Sequence, residues 1–452
     1  MARQGRFCRR LLIFLVSGTM ALFADTRKFT VYAENLEQAW AAATANSRKL
    51  HAERHQIQSN REVVHAARAL RSPIISNQTA IVAMPESPRM TSHATISLPP
   101  PFSILQPLVP PITAETSLAD KTFVTNSTIA AVPLYAGGKI RSAIDAANAQ
   151  VHASVAEYAA STQNVRMEIT EIYFMVLRTR RLCEIAFQAE NSLAQHERNS
   201  QKMLETRLVT RNVVLAAQTA KSLASQNTLR AKIAVQTAEA AYNRLLNRPL
   251  ETPVELEEIN IPPMLSDQPE IRDNAARNRS ELTQLQSQAQ ALNAQSRIAR
   301  ADRLPQVVAG GSITYLENRS IDPNTLFAGG IGVSWTPFDG GASRAKQRAA
   351  AQGAMAVNQM REETRSLIEL QVQTAVLAEQ ESRSRIQVAE NGVNFAEENL
   401  RVVTMQFQSG LVNHTEVLDA QTLAANAQAN YYNAVYDAIL ATYRLKRALG
   451  IF

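Results

Sequence analysis

The chain has 452 residues, 45% hydrophobic and 19% charged, with 15 Gly and 6% aromatics; this excludes a disordered chain and leaves room for a large packed structure. Its formal charge of +7 is partly carried by Arg3, Arg6, Arg9 and Arg10, and without them the remainder is +7 less 4, or +3. That small excess, with no concentrated Lys/Arg face and no aromatic stacking positions, excludes a nucleic-acid binder. The four arginines precede an apolar run over 11–23 and the small residue Ala24, the layout of a secretory signal peptide spanning 1–24, with Ala33 as a weaker cleavage site. The run of about 13 residues falls short of the roughly 20 that cross hydrocarbon. Cys8 has no lipobox and leaves with the leader, so Cys183 is alone, and stability must come from packing or assembly.

After the leader, the chain reads as helix, two strands, long helix, turn and helix, and then reads the same way again. The first helix is predicted over 36–72 and stops before Pro73, because the residue preceding a proline disfavours the helical conformation. Strands follow near 75–84 and 123–132, separated by a proline-rich stretch from Pro85 through Pro99-Pro100-Pro101 to Pro110-Pro111, expected as an external loop, poorly ordered or extended. Gly137-Gly138 opens a long helix over 138–207, the turn TRLVTRN follows, and a helix runs over 211–246. A linker over 247–270 leads to a helix over 271–303, ending before Pro305. Strands over 307–315 and 327–335, Gly340-Gly341, a long helix over 341–409, the turn SGLVNHT and a helix over 413–448 complete the chain.

The second series repeats the first in register. An offset of 203 carries Gly137-Gly138 onto Gly340-Gly341, Leu208-Val209 onto Leu411-Val412, and Ala217-Gln218-Thr219 onto Ala420-Gln421-Thr422. An offset of 232 carries Ala67-Arg68-Ala69, Arg71 and Pro73 onto Ala299-Arg300-Ala301, Arg303 and Pro305. The difference of 29 residues is an insertion in the first copy between Pro73 and Gly137. The copies occupy 25–246 and 271–452, with 247–270 between them.

Lengths then constrain the architecture. Seventy helical residues extend roughly 105 Å, and the two shorter helices of each copy sum to nearly that length, so they can line the long one end to end. The apolar residues alternate by three and four, as in Val165, Ile169, Ile172, Val176 and in Val393, Ala396, Leu400, Val403, Phe407, which is a coiled-coil seam. In the strands Val307, Ala309, Gly311, Ile313 and Tyr315 form one face, and Phe327, Gly329, Ile331, Val333 and Trp335 form another. Nine residues with one apolar face suit outer-membrane strands and also suit a soluble sandwich. Four strands cannot close a barrel and open edges are not tolerated in lipid, so the membrane reading requires oligomerisation, and three copies give an even twelve strands.

The leader, the tandem copies, the Gly-Gly pair opening each long helix, and GLVNHTEVLDAQTL after Phe407 resemble the TolC-type outer-membrane efflux protein family. That resemblance implies a mainly helical trimer: a shared twelve-stranded β-barrel in the outer membrane, continued into the periplasm by an α-helical tunnel. It implies a passive exit duct of a tripartite efflux pump or type I secretion system, working as a homotrimer with a periplasmic adaptor and an inner-membrane transporter. An equatorial collar would draw on 25–35, 247–270 and the C-terminus. No cofactor, catalytic residue or nucleic-acid partner is implied.

The family closes its periplasmic end with acidic residues just after the second tip turn, and Glu416 and Asp419 fall there, three apart on one side of the helix. They are either a ring lining the entrance or ordinary first-turn acids favoured by the helix dipole. The first copy has Val213 and Ala216 at those positions, and Val412 replaces a basic residue that some members carry. Asn46-Ser47 and Asn278-Arg279 stand where the family often has Asn-Pro. The apolar tip pairs Leu208-Val209 and Leu411-Val412 mark either the adaptor surface or a staple within each hairpin. Tyr315, Phe327 and Trp335 are expected to face lipid, with Trp335 an interfacial anchor.

Other signals lead nowhere. His51 and His55 around Glu53 lack further metal ligands, so no metal is expected. Gly137-Gly138-Lys139 lacks the spacing of a phosphate loop. No catalytic constellation appears, so the chain is not expected to be an enzyme. The rival is a secreted coiled-coil spacer without a pore, which leaves the duplicated strand pairs unexplained; fractionation with outer membranes separates the two.

Overall fold

The computed structural model describes residues 33–95, 97, 111–117, 119–265, 275, 277–318 and 322–452; the expected leader lies outside them. In chain order the elements are α1 (Leu36–Asn46), α2 (Arg48–Ala69), β1 (Ile74–Ala83), β2 (Arg89–Ala94), β3 (Ile112–Ser117), β4 (Thr122–Tyr135), α3 (Lys139–Glu205), α4 (Arg211–Leu245), α5 (Ser280–Ala301), β5 (Gln306–Glu317), β6 (Thr325–Ser334), α6 (Ala342–Gln408) and α7 (His414–Ala448). The two long helices have 67 residues each, about 100 Å. Helices α2 and α4 pack along α3, α5 and α7 pack along α6, and α3 also meets α5 and α7. The fold is thus mainly α, with the strands gathered at one end.

The expected first helix over 36–72 is two helices. Ser47 is extended, with ψ 114°, and its hydroxyl caps α2 by accepting from the Leu50 amide at 3.3 Å. A side-chain acceptor there competes with helix continuation, so the axis breaks. The stretch expected as a loop over 85–111 contains one strand, β2, which pairs antiparallel with β3 just beyond Pro111. The paired residues, RMTSHA and ITAETS, hold the Thr that suits strands, while Pro85, Pro88 and Pro111 stand outside the ladder.

The main sheet has the order β1-β4-β5-β6, all antiparallel, so the β4–β5 pairing joins the two copies and β1 and β6 are its open edges. The core lies at mid-height of α3. There Ile169, Tyr173, Phe174, Val176 and Leu177 pack with Leu36 and Ala39 of α1, Tyr242 of α4, Val254 and Leu256 of the linker, and Tyr436, Ile439 and Tyr443 of α7. The linker is held from both copies. Arg180 donates to the Val254 carbonyl and to Glu239 at 2.6 Å. Its counterpart one repeat on, Arg383, donates to the Pro262 carbonyl and to Thr442 at 3.3 Å, and the Thr442 hydroxyl donates to Glu379 at 2.8 Å. Glu34 closes the belt: it accepts from both Arg248 nitrogens at 3.0 and 3.1 Å and from Tyr242 at 3.0 Å, and its backbone bridges Leu256.

Every left-handed residue of the described chain falls into four pairs at the 203-residue offset: Gly137 with Gly340, Gly138 with Gly341, Arg207 with Gly410, and Asn247 with Gly450. The last two pairs end helices in the same way. The amide two residues past each helix cap bonds back across a 6→1 ring, as in Leu208 to Met203 at 2.8 Å and Leu411 to Gln406 at 2.9 Å. The repeat is therefore written in backbone conformation even where the side chains have diverged.

Candidate functional site

At the sheet end, register decides which residues share a face. Ile313 pairs with Phe327, Ala309 with Ile331 and Val307 with Val333, so the two apolar strand faces are one surface. Phe327 is 76% exposed and Ile331 70%, and Tyr315 and Trp335 are exposed beside them. Trp335 donates its indole N–H to the Arg303 carbonyl at 3.1 Å, tying the sheet's lower rim to the end of α5. On the same surface Asn77, Thr79, Asn126 and Thr128 of β1 and β4 form a ladder that bonds to itself, with Asn126 donating to Thr79 at 2.6 Å and Asn77 to Thr128 at 2.7 Å. Polar groups so satisfied are compatible with an apolar surround.

At the corner between sheet and helix, Gly137 is left-handed with φ +59°, and a Cβ there would sit 2.8 Å from the Leu304 Cβ. The chain needs glycine for both the turn and the close approach. Gly138, Gly340 and Gly341 are also left-handed but open to space. Asp339 accepts from the Ser343 hydroxyl, from the Ser343 amide at 2.8 Å and from the Gly341 amide at 3.0 Å, and these bonds, the hydroxyl's first, hold its carboxyl below the usual range.

At the far end the two hairpins, α3–α4 and α6–α7, present their turns. Leu208 is 70% exposed and Leu411 75%, while Val209 and Val412 are half-buried. The 6→1 helix ending commonly pairs a hydrophobic residue at the Leu208/Leu411 position with an apolar one three residues inside the helix. In the second copy that inner position is Gln406, so Leu411 has no apolar partner of that kind. Glu416 and Asp419 are both exposed on α7, and Val417 and Ala420 between and behind them are buried.

A profile of the outer membrane efflux protein family matches residues 271–451. That match spans the second of the chain's two repeats. The efflux-protein fold extends over both repeats: the outer membrane protein VceC of Vibrio cholerae superposes with a TM-score of 0.74 at 19% identity, covering 92% of this chain and 96% of that one. The outer membrane channel CmeC of Campylobacter jejuni gives 0.73 at 14% identity, covering 92% and 86%, and the open-state MtrE channel of Neisseria gonorrhoeae gives 0.69 at 16%, covering 92% and 88%. No curated protein sequence matches the chain. Among the described residues no helix is long and apolar enough to cross a membrane and no His, Cys, Asp and Glu group could hold a metal.

Sequence reasoning did not reach two features. The linker-gripping pair Arg180 and Arg383 could have been found from the repeat offset, since both are arginines. His196, buried at 4% exposure and 5.1 Å from the Phe407 ring, left no signal in the sequence.

Proposed function

We propose that the chain is one third of an outer-membrane exit duct, a passive conduit for small molecules or polypeptides that joins a periplasmic adaptor and an inner-membrane transporter. The observation that carries this reading is the sheet: four antiparallel strands with a broadly exposed apolar face end in two open edges, β1 and β6. In lipid each edge strand needs a partner, and three copies pairing β1 with the next β6 close a barrel of twelve. The long helices then extend the barrel into a periplasmic tunnel whose mouth is built from the hairpin tips. Tyr315, Phe327 and Trp335 meet outer-membrane lipid, Leu208 and Leu411 meet the adaptor, and Glu416 and Asp419 ring the entrance.

Six exposed carboxylates converging on one axis hold a negative potential there, which a narrow low-dielectric mouth focuses on passing ions. The purified protein reconstituted in planar bilayers should conduct with cation preference and be blocked by divalent cations from the tip side. Replacing both Glu416 and Asp419 with Ala should remove the block and lower the selectivity while trimers persist, because first-turn acids contribute only about 0.3 to 1 kcal/mol each to the helix. Unchanged selectivity and block in the double variant would mean that the entrance lies elsewhere.

A further inference from the structure

The two hairpins of one chain meet chiefly through α3 and α7, and near the tips this joint is polar. On α3, Ser192, His196 and Ser200 recur every fourth residue along one stripe. Ser192 accepts from the Gln421 side chain of α7 at 3.2 Å. His196 is 4% exposed and Ser200 0%, and the His196 Nε2, the Ser200 hydroxyl and the Gln421 Oε1 are buried with no hydrogen-bond partner among the described residues. The His196 ring lies against Phe407, in the last turn of α6. Farther from the tips, Leu182, Ile185, Leu193, Leu223 and Leu418 border an open slot of about 440 Å³ between the two hairpins. Three orphaned polar atoms beside an unfilled slot weaken this joint, because a buried polar group without a partner loses its hydration and gains no bond in return.

We propose that His196 is a proton-operated latch between the hairpins: neutral, it packs against Phe407 and holds the second tip to α3, and on protonation it is expelled and the tip separates. This rests on the duct reading only for its consequence, which is opening of the entrance.

The groups facing His196 explain the sign. α6 presents the Phe407 ring, which carries no oxygen or nitrogen to accept an imidazolium N–H. α7 presents His414, whose charge opposes protonation; from α4, Lys221 pairs with Glu197, the neighbour of His196 on α3, at 2.8 Å. Burial first and His414 second push the His196 imidazole below its ordinary value of 6.5. The packed state therefore refuses the proton that the separated state accepts. Packing is fully favoured above about 6.5, and below it each pH unit moves the ratio of packed to separated joint by up to tenfold per chain until the packed state also titrates. His414 begins α7, two residues before Glu416, so separation carries the acids with it. The counterpart of His196 in the second copy is the exposed Asn399, so one latch serves each chain.

The test is a distance, measured by spin-label electron resonance on the full chain in detergent. Labels sit at Gln201 and Gln408 in a Cys183→Ser background, and labelled chains are diluted with unlabelled ones. Between pH 8 and pH 5 the unaltered joint should lengthen, with its onset near 6.5. His196→Leu and, should that variant fail to assemble, His196→Asn should hold one distance throughout, whereas Glu416→Ala with Asp419→Ala should leave the lengthening intact. A constant distance in the protein with His196, or a shift that survives in either His196 variant, overturns the latch. The measurement does not need conductance, so a protein that fails to conduct refutes the duct and leaves the latch standing or falling by itself.

Discussion

Gly137 and Gly340 occupy equivalent corners, with φ +59° and +68°, yet differ in what surrounds them. Replacing either with Ala imposes the cost of a left-handed L-residue, about 1 to 2 kcal/mol. At Gly340 nothing lies within 4 Å of the new Cβ, so that cost is the whole effect. At Gly137 the Cβ meets the Leu304 Cβ at 2.8 Å and the Ala301 carbonyl oxygen at 3.2 Å. Neither is the end of a flexible side chain, so the α5–β5 corner must shift, and overpacking of this kind adds about 1 to 3 kcal/mol. Gly137→Ala should therefore cost roughly twice as much as Gly340→Ala. Helical circular dichroism of the two variants in detergent, heated at one fixed rate because unfolding of such an assembly is a rate process, should rank them unaltered chain, Gly340→Ala, Gly137→Ala. If Gly340→Ala melts at or below Gly137→Ala, the space around the corner does not govern its sequence.

Glu281 lies between Arg279, whose side chain is only 7% exposed, at 3.0 Å, and Arg447 at 2.8 Å. Burial raises its carboxyl, but the bonds from the two guanidiniums outweigh this and hold it at about 2 against an ordinary 4.5. That stabilisation is complete above about 4.5 and is lost as pH falls toward 2. Glu281→Gln should lower stability by about 3 to 5 kcal/mol near neutrality, because it strands a buried guanidinium, and the gap in melting temperature between it and the unaltered chain should narrow on acidification below 4.5. A gap independent of pH would rule out the charge as its origin. Serine at both Leu208 and Leu411 should leave the melting temperature almost unchanged, as exposed substitutions do within about 0.5 kcal/mol. The same change should abolish photo-crosslinking from the tips to a periplasmic partner in cells, and persistence of that crosslink would remove the tips from the docking surface.

Periodicity and the repeat offsets made the long helices and sheet strands legible to within a few residues, because a seam of 67 residues and a period-two strand leave little freedom. What escaped was local or non-local in specific ways. Ser47 breaks the first helix through one hydroxyl, and a serine on a helical pattern reads as a solvated position. The pairing of β2 with β3 spans an insertion whose prolines dominate its composition and mask two short runs of strand formers. Arg207 and Asn247 adopt left-handed conformations for which glycine is the usual marker, and only their counterparts Gly410 and Gly450 betray them. His196 could not be found because the neighbours that define its setting, Phe407 and His414, lie more than two hundred residues away in the chain. For Glu416, Asp419 and the tip leucines the structure gives exposure and position.

The belt that grips the linker has a consequence for how such a chain can change. Arg180 and Arg383 are the same residue one repeat apart, but the carboxylate of each cluster stands on a different helix: Glu239 on α4, bonded directly to Arg180, where the second copy has Thr442, and Glu379 on α6, joined to Arg383 through the Thr442 hydroxyl, where the first copy has Val176. Moving the acid from one helix to the other takes two substitutions. Taken singly, one order leaves an arginine without its acid and the other crowds two acids around it, so the pair is expected to be strongly non-additive. The halves of this protein are therefore no longer exchangeable parts. A chain built from two copies of either repeat would inherit an arginine suited to one arm of the linker and a carboxylate placed for the wrong arm.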